Sequence, residues 1–257
     1  MVILLIFLII LYIIIRYIIT NIIFNPPLLA TYDRKFINFI YNKIAIKIFK
    51  KNRNKIILFS HNNADDIGIC KNYCLWLSNI TNINVLVYDY IGYGLSYNDS
   101  LNEYNLLKSA KKCYNFIVKK LKYKPENIYL YGKSLGTVPT IYLSQYKNAG
   151  VLLIAPLASG ARLYLDVEKY NYIIKFILDY LYLPSILRIK KSTSKIGIIH
   201  GFNDKLISIE NSYCLIKKIK KENYYKPLYV NAGHNNIEIK HTEKVTNYIK
   251  KFINNSQ

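Results

Sequence analysis

The sequence predicts an α/β fold, a mostly parallel sheet flanked by helices on both faces. Three observations predict it. Short apolar runs rich in Ile, Val, Leu and Tyr recur at residues 55–60, 84–89, 127–131, 149–154, 195–200 and 227–230, and they read as buried strands. Segments of helical periodicity lie between them, joined by short links, which is the pattern of parallel strands connected by helical crossovers. The polar groups with chemistry to offer, His61 to Asp66, Ser134, Asp204 and His234, stand at the carboxyl ends of these runs. Open α/β sheets form their clefts at those ends.

Taken in order, residues 2–24 are almost wholly apolar, with Arg16 the one charge. About 20 such residues cross a bilayer, so residues 1–25 are expected to form an N-terminal transmembrane anchor and residues 26–257 the folded domain. A cleaved signal peptide fits less well, because no basic n-region precedes the run and no A-x-A-like site follows it. Arg34, Lys35, Lys43, Lys47, Lys50, Lys51, Arg53 and Lys55 come after it, against Asp33 alone. The positive-inside rule then places the domain on the cytoplasmic side.

Two short strands, 36–41 and 44–49, are expected around Asn42 and Lys43. The run 55–60 is a strong strand, followed by a helix to about residue 79. The strand 84–89 ends before the glycine-rich turn Gly92-Tyr93-Gly94, where Asp89 is expected to bond the turn. A helix over 101–121 closes at Lys124-Pro125. The strand 127–131 leads through a turn to a helix reaching about residue 146, and 149–154 is the next strand. Residues 157–194 break the rhythm as a cap-like segment. Its apolar part, 170–186, reads either as an ordinary core helix or as a cap helix that lines an apolar pocket or rests on a membrane. Strand 195–200, helix 208–221, strand 227–230 and helix 241–253 complete the chain.

Composition narrows the partners. Lys and Arg number 36 and Asp and Glu 15, a net charge of +21. Such a field favours anionic partners, nucleic acid or an acidic lipid surface. No helix-turn-helix, zinc-finger or aromatic single-strand-binding motif is present, so nucleic acid is not the expected partner. The basic runs 188–191 and 217–221 read as solvated faces, or as contacts to an anionic leaflet. Cys70, Cys74, Cys113 and Cys214 lack C-x-x-C spacing and read as buried thiols of a reducing compartment rather than metal ligands. Gly (10) and His (4) are scarce, so each one present carries added weight where it stands.

The turn Gly132-Lys133-Ser134-Leu135-Gly136 carries the chemistry. Its G-x-S-x-G pattern sits between a strand and a helix, with Pro139 tolerated in the first helical turn. In that context the pattern is a nucleophile elbow, holding Ser134 on a strained turn with its hydroxyl exposed. A serine hydroxyl needs a base, and a carboxylate to orient the base. His234, in a loop after the last strand, is the expected base, and Asp204, four residues past its strand, the expected acid. His200 is expected to anchor the turn bearing Asp204, His61 to sit beside the oxyanion loop, and His241 to be solvated. The two oxyanion donors are expected to be the backbone N–H groups of Leu135 and Asn63. No metal or cofactor is required.

At this point the sequence resembles a family. Leu58-Phe-Ser-His-Asn-Asn-Ala-Asp-Asp-Ile-Gly68, Asn84-Val-Leu-Val-Tyr-Asp-Tyr-Ile-Gly-Tyr-Gly-Leu-Ser96, Pro125-Glu-Asn-Ile-Tyr-Leu-Tyr-Gly-Lys-Ser-Leu-Gly-Thr-Val-Pro-Thr140, Ala155-Pro-Leu-Ala-Ser-Gly160 and Gly233-His-Asn-Asn-Ile-Glu238 are similar to the alpha/beta hydrolase domain-containing protein 17 group. The resemblance covers roughly residues 56–252. It implies an α/β-hydrolase fold and a membrane-associated serine hydrolase that removes palmitate from cysteines of cytoplasmic proteins. It also implies Ser134 as nucleophile, Asp204 as acid and His234 as base. Asn62 stands where the group has Gly, and Asn tolerates positive φ. Lys133 stands where it has Gln, and an apolar span replaces its cysteine-rich acylated N-terminus. The functions to weigh are therefore a membrane-anchored protein depalmitoylase, a lipid esterase or lysophospholipase, and a non-catalytic membrane scaffold on a hydrolase fold. The expected partners are the bilayer and an acylated protein or lipid substrate.

Overall fold

The apolar runs assemble into one eight-stranded sheet in the order β1-β2-β4-β3-β5-β6-β7-β8. The strands are β1 (Phe39–Tyr41), β2 (Ile44–Phe49), β3 (Ile56–Ser60), β4 (Asn84–Tyr88), β5 (Ile128–Lys133), β6 (Gly150–Ile154), β7 (Ile196–Gly201) and β8 (Leu228–Val230). The computed structural model describes residues 2–51, 54–96 and 99–256, excepting the side chains at 2–5, 8, 9, 11 and 15. Arg53, one of the cations counted after the apolar run, lies outside them. From β3 to β8 all neighbouring strands are parallel, while β1 and β2 form an antiparallel hairpin on the edge. Asn42 and Lys43 both take positive φ, 47° and 69°, the tight hairpin turn that the right-handed twist of the strands selects.

The helices are α1 (Val2–Ile23), α2 (Lys71–Thr81), α3 (Glu103–Lys119), α4 (Thr137–Leu143), α5 (Tyr172–Leu181), α6 (Ser185–Arg188), α7 (Glu210–Ile216), α8 (Ile237–Lys240) and α9 (Thr242–Asn255). Strand side chains alternate between the two faces. Leu58, Leu86 and Leu130 join a core with Leu106, Cys113, Val138 and Leu215, under α3, α4 and α7. Ile57, Phe59, Val85 and Tyr131 join the opposite core with Cys74, Leu77, Ile249 and Phe252, under α2 and α9. All four cysteines are free and buried.

The chain passes from β3 outward to β4, then crosses back to β5 on the other side of β3. That reversal opens a crevice beyond the carboxyl ends of β3 and β5. The loop after Ser60 and the turn at Ser134 meet there.

Two expectations are corrected. Among the described residues no helix is long and apolar enough to cross a membrane. The boundary expected at residue 25 also falls inside the domain. Ile23 and Phe24 are core residues, Arg16 pairs with Glu103 at 2.9 Å, and the Thr20 hydroxyl lies 2.7 Å from that of Tyr182. From Arg16 onward one side of α1 is therefore packed on the domain, while Tyr17, Ile18 and Ile22 on its other side stay exposed. The apolar segment 170–186 is not an ordinary core helix either. Most of α5 is exposed, and Asp179 is its buried residue.

Candidate active site

The elbow is built by close approach. β5 is buried along its length and ends at Lys133, two residues beyond the expected strand, after which Ser134–Gly136 form a tight turn into α4. A Cβ on Gly132 would collide with the Gly136 carbonyl, and one on Gly136 with the Ser60 carbonyl at the end of β3. Only glycine lets the elbow close on its neighbours. Ser134 has φ +54°, a left-handed conformation that a non-glycine residue holds only where its surroundings impose it. Thr137 Oγ1 donates to the Ser134 carbonyl at 2.6 Å and Thr140 Oγ1 to that of Gly136 at 2.8 Å, which pins the turn.

The loop after β8 brings His234 to this serine. Its Nε2 lies 2.9 Å from Ser134 Oγ, and its Nδ1 lies 2.6 Å from Asp204 Oδ2. A carboxylate can only accept, so Nδ1 carries the proton and Nε2 offers its lone pair to the hydroxyl. Asn236 Oδ1 accepts from the Gly233 N–H at 2.8 Å and braces the loop. Asp204 Oδ1 accepts from the N–H groups of Leu206 and Ile207 at 2.9 and 2.8 Å. Burial alone would raise the Asp204 pKa. Hydrogen bonds from His200 and His234 outweigh it and hold the carboxyl well below the usual range. His200 bonds Ser212 Oγ at 2.6 Å and the Ile207 carbonyl at 2.9 Å, with Nε2 3.3 Å from Asp204, and so anchors the turn. His241 lies apart, 3.1 Å from the Asn231 carbonyl.

Asn63, Leu135 and Ser134 border one cleft of about 100 Å³, closed over by Ile23, Leu163, Tyr164, Leu206 and Ile207. Ser134 is buried at its floor rather than exposed, because those side chains cover it. The Asn63 side chain donates to the Ile23 carbonyl at 2.5 Å and accepts from the Asn25 N–H at 3.1 Å and the Tyr93 hydroxyl at 2.9 Å. Asn62 does not take positive φ, so the substitution for glycine needs no left-handed backbone. Its amide donates to Asp65 at 2.7 Å instead. His61 is fully buried against the Tyr90 ring, with Nε2 3.7 Å from Asp89. Asp89 bonds the Ile67 N–H and the Tyr32 hydroxyl, and its carboxylate fills the space beneath Gly94.

A larger cavity of about 680 Å³ lies elsewhere, near the amino ends of β3 and β4, between Lys50, Lys51, Lys122 and Lys124. It holds no nucleophile–base pair, so the smaller cleft is the candidate site on chemical grounds. Among the described residues no group of His, Cys, Asp and Glu is placed to hold a metal ion.

Sequence reasoning missed one element. Lys133 Nζ lies 2.9 and 3.0 Å from the two Glu238 carboxylate oxygens, and the pair is buried. The Tyr73 hydroxyl donates to Glu238 at 2.8 Å and lies 2.7 Å from that of Tyr131. The pair joins the residue before Ser134 to the helix that follows His234. The clue was available: a lysine in an otherwise apolar strand must find a buried anion.

No family model matches the chain. It is 35% identical over 204 residues to alpha/beta hydrolase domain-containing protein 17C of Xenopus tropicalis, covering 78% of this chain and 63% of that one. It is 34% identical over 202 residues to the human 17B protein, covering 77% and 67%. The chain thus spans less than two thirds of the length of the 17C relative. Among solved structures, an esterase from Pyrococcus furiosus superposes with a TM-score of 0.68 at 15% identity, covering 91% of this chain and 98% of that one. A monoacylglycerol lipase from Paleococcus ferrophilus gives 0.62 at 17% identity, covering 83% and 99%. At those identities the likeness carries the fold, which is that of the α/β hydrolases.

Proposed function

The chain belongs to the alpha/beta hydrolase domain-containing protein 17 family, and from that premise we propose that it is a membrane-attached serine hydrolase of acyl thioesters or esters. The observation that carries this reading is the relay from Ser134 Oγ through His234 to Asp204, with separations of 2.9 and 2.6 Å. Ser134 attacks the acyl carbonyl while His234 Nε2 takes its proton. Leu135 and Asn63 border the same cleft, and in this reading their N–H groups receive the developing oxyanion, each donor worth roughly 3 kcal/mol of barrier. His234 returns the proton to the leaving thiol or alcohol, and water then frees the acyl-enzyme by the same steps. Asp204, held ionised, orients the imidazole and stabilises its charged form.

Protein depalmitoylation is the preferred substrate class, because the motif resemblance is densest around the elbow and the oxyanion loop. Hydrolysis of a lipid ester is the second reading, supported by the apolar residues exposed on α5. Membrane attachment rests on α1, where Ile6, Phe7, Ile10, Ile13 and Ile14 are exposed. At 1.5 Å per residue, residues 2–15 reach roughly 21 Å, short of a hydrocarbon core of about 30 Å. Insertion from the cytoplasmic side fits that reach, and the cations after the helix support the orientation.

Fluorophosphonate labelling tests the chemistry. The folded chain should label and Ser134→Ala should not, and equal labelling of the two would overturn the assignment. Hydrolysis of a palmitoylated peptide faster than of a monoacylglycerol would favour depalmitoylation, and the reverse order would favour the lipid ester.

A further inference from the structure

The cavity of about 680 Å³ at the amino ends of β3 and β4 has a chemistry of its own. Lys50 and Lys51 follow β2, and Lys122 and Lys124 lie between α3 and β5. All four are exposed and line the cavity, and no carboxylate lines it. Glu126, the acid nearest to them in sequence, pairs instead with Lys147 at 3.7 Å. Among the described residues no ion pair engages any of the four. Gathering like charges costs Coulomb repulsion, which an anion held among them relieves.

The backbone beneath these lysines is fixed in advance. Asn84, 4% exposed at the start of β4, braces the two lysine-bearing loops against each other. Its Oδ1 accepts from the Lys51 N–H at 2.7 Å, and its Nδ2 donates to the Lys55 carbonyl at 3.1 Å and to the Tyr123 hydroxyl at 2.8 Å. The Tyr123 N–H bonds the Ile117 carbonyl at 3.2 Å, and the Asn127 N–H bonds that of Lys124 at 2.9 Å. A ligand arriving here therefore has little main chain to order. The volume also falls within the range of roughly 300–1,000 Å³ usual for small-molecule sites. A single phosphate would leave most of it empty. The remaining lining includes Ile48, Ile56 and Leu121, with half-buried Tyr123. That surface suits a ring with apolar faces, whereas lysines suit phosphate as point charges.

We propose that this cavity binds a soluble nucleotide carrying several phosphates. The phosphates meet the four lysines, and the base lies on the apolar lining. A soluble source follows from the position. The end of α1 is bonded to Asn63, beyond the carboxyl end of β3. β3 is five residues long, roughly 16 Å at 3.3 Å per residue, and the cavity opens at its other end. A bilayer that holds α1 is therefore on the far side of the sheet from the lysines.

Isothermal titration of the full chain tests this. ATP should bind about tenfold more tightly than tripolyphosphate, which has the charge without the base, and inorganic phosphate should bind more weakly than either. Lys122 takes φ +61°, a conformation that asparagine tolerates, so Lys122→Asn with Lys124→Gln keeps the backbone. This pair of substitutions should weaken ATP roughly tenfold. Lys217→Gln with Lys218→Gln, exposed cations remote in sequence, should change ATP affinity less than about twofold. Equal losses in the two double variants would mean generic attraction to a chain of net charge +21 and overturn the site. Tripolyphosphate binding as tightly as ATP would overturn the nucleotide assignment. So would displacement of ATP by lower concentrations of a single-stranded oligonucleotide or of vesicles containing phosphatidylinositol phosphates, which would identify those as the occupant. A second measurement needs no substitution. Saturating ATP should slow acetylation of Lys122 and Lys124 by acetic anhydride, read by mass spectrometry, and leave that of Lys217 and Lys218 unchanged. Unprotected lysines would also overturn the proposal. The site does not rest on the hydrolase reading, so Ser134→Ala should bind ATP as the parent does.

Discussion

Two buried ion pairs flank the site, alike in chemistry and opposite in setting. Lys133 and Glu238 are enclosed by Tyr73 and Tyr131, and they join the nucleophile turn to the helix after His234. Arg162 and Asp179 sit beneath a helix whose far side is apolar and open. A buried pair is weak evidence for stability in itself, since desolvation can cancel the attraction. What each pair does follows from what it joins. The first ties the turn that bears Ser134 to the helix that follows His234. The second selects which face of a helix points outward.

The widest separation between the two regions should appear in the hydrogen-bonded relay that lies beside the first pair. Asp204→Asn leaves the shape of the relay and removes the charge that orients His234, so turnover should fall roughly ten-thousand-fold. Circular dichroism should be unchanged, and a loss below about tenfold would take Asp204 out of the relay.

Next in size is the cost of breaking the first pair. Glu238→Ala strands the Lys133 ammonium among apolar residues and should lower stability by about 3–5 kcal/mol in urea unfolding. Lys133→Met with Glu238→Leu, which removes both charges, should recover most of it. If single and double variants lose the same stability, the two charges are not coupled.

The cap pair should matter less to stability and more to local order. Asp179→Ala leaves Arg162 its Glu168 partner and should cost about 2 kcal/mol. Cleavage within residues 163–184 under limited proteolysis should accelerate, and unaltered cleavage would mean that the pair does not hold α5.

The smallest effect concerns pH. Burial pushes the Asp89 carboxyl up to about 7, against the opposing hydrogen bond from Tyr32. The native state therefore holds this proton more tightly than the unfolded chain. The resulting stability is complete below the ordinary carboxyl range and is lost as pH rises toward 7. His61, which faces Asp89 and is lowered by burial, contributes with the opposite sign: its share is present above the ordinary imidazole range and is lost as pH falls. Subtracting the Asp89→Asn unfolding profile from that of the parent isolates the first term. The difference should decline between about pH 4 and 7, and a flat difference would remove Asp89 as its source.

The sequence made the strands, the elbow and the relay residues legible because each depends on local pattern or on a scarce residue type. Gly132 and Gly136 announce the close approach, and His234 stands out among four histidines. The Lys133–Glu238 pair was hidden because its partners lie 105 residues apart, and a lysine in a lysine-rich chain attracts little notice. The orientation of α5 was hidden for another reason. Periodicity shows that a helix has two faces, whereas Arg162, ten residues before it, decides which one turns inward. The end of α1 was misjudged because hydropathy cannot distinguish burial in lipid from burial in protein, and Ile23 and Phe24 are buried in protein.

The three hydrogen bonds of the Asn63 side chain have a mechanical consequence. Two of them stitch Ile23, at the end of α1, and Asn25 just past it to the loop that borders the cleft, and the third ties that loop to Tyr93. A displacement of the end of α1 is passed to that loop through the Asn63 amide, with no slack segment between. A chain beginning at Asn25 would keep Ser134, Asp204 and His234, yet it would lose the carbonyl that holds Asn63 in place. The position of α1 and that of the loop beside the cleft are thus geared together.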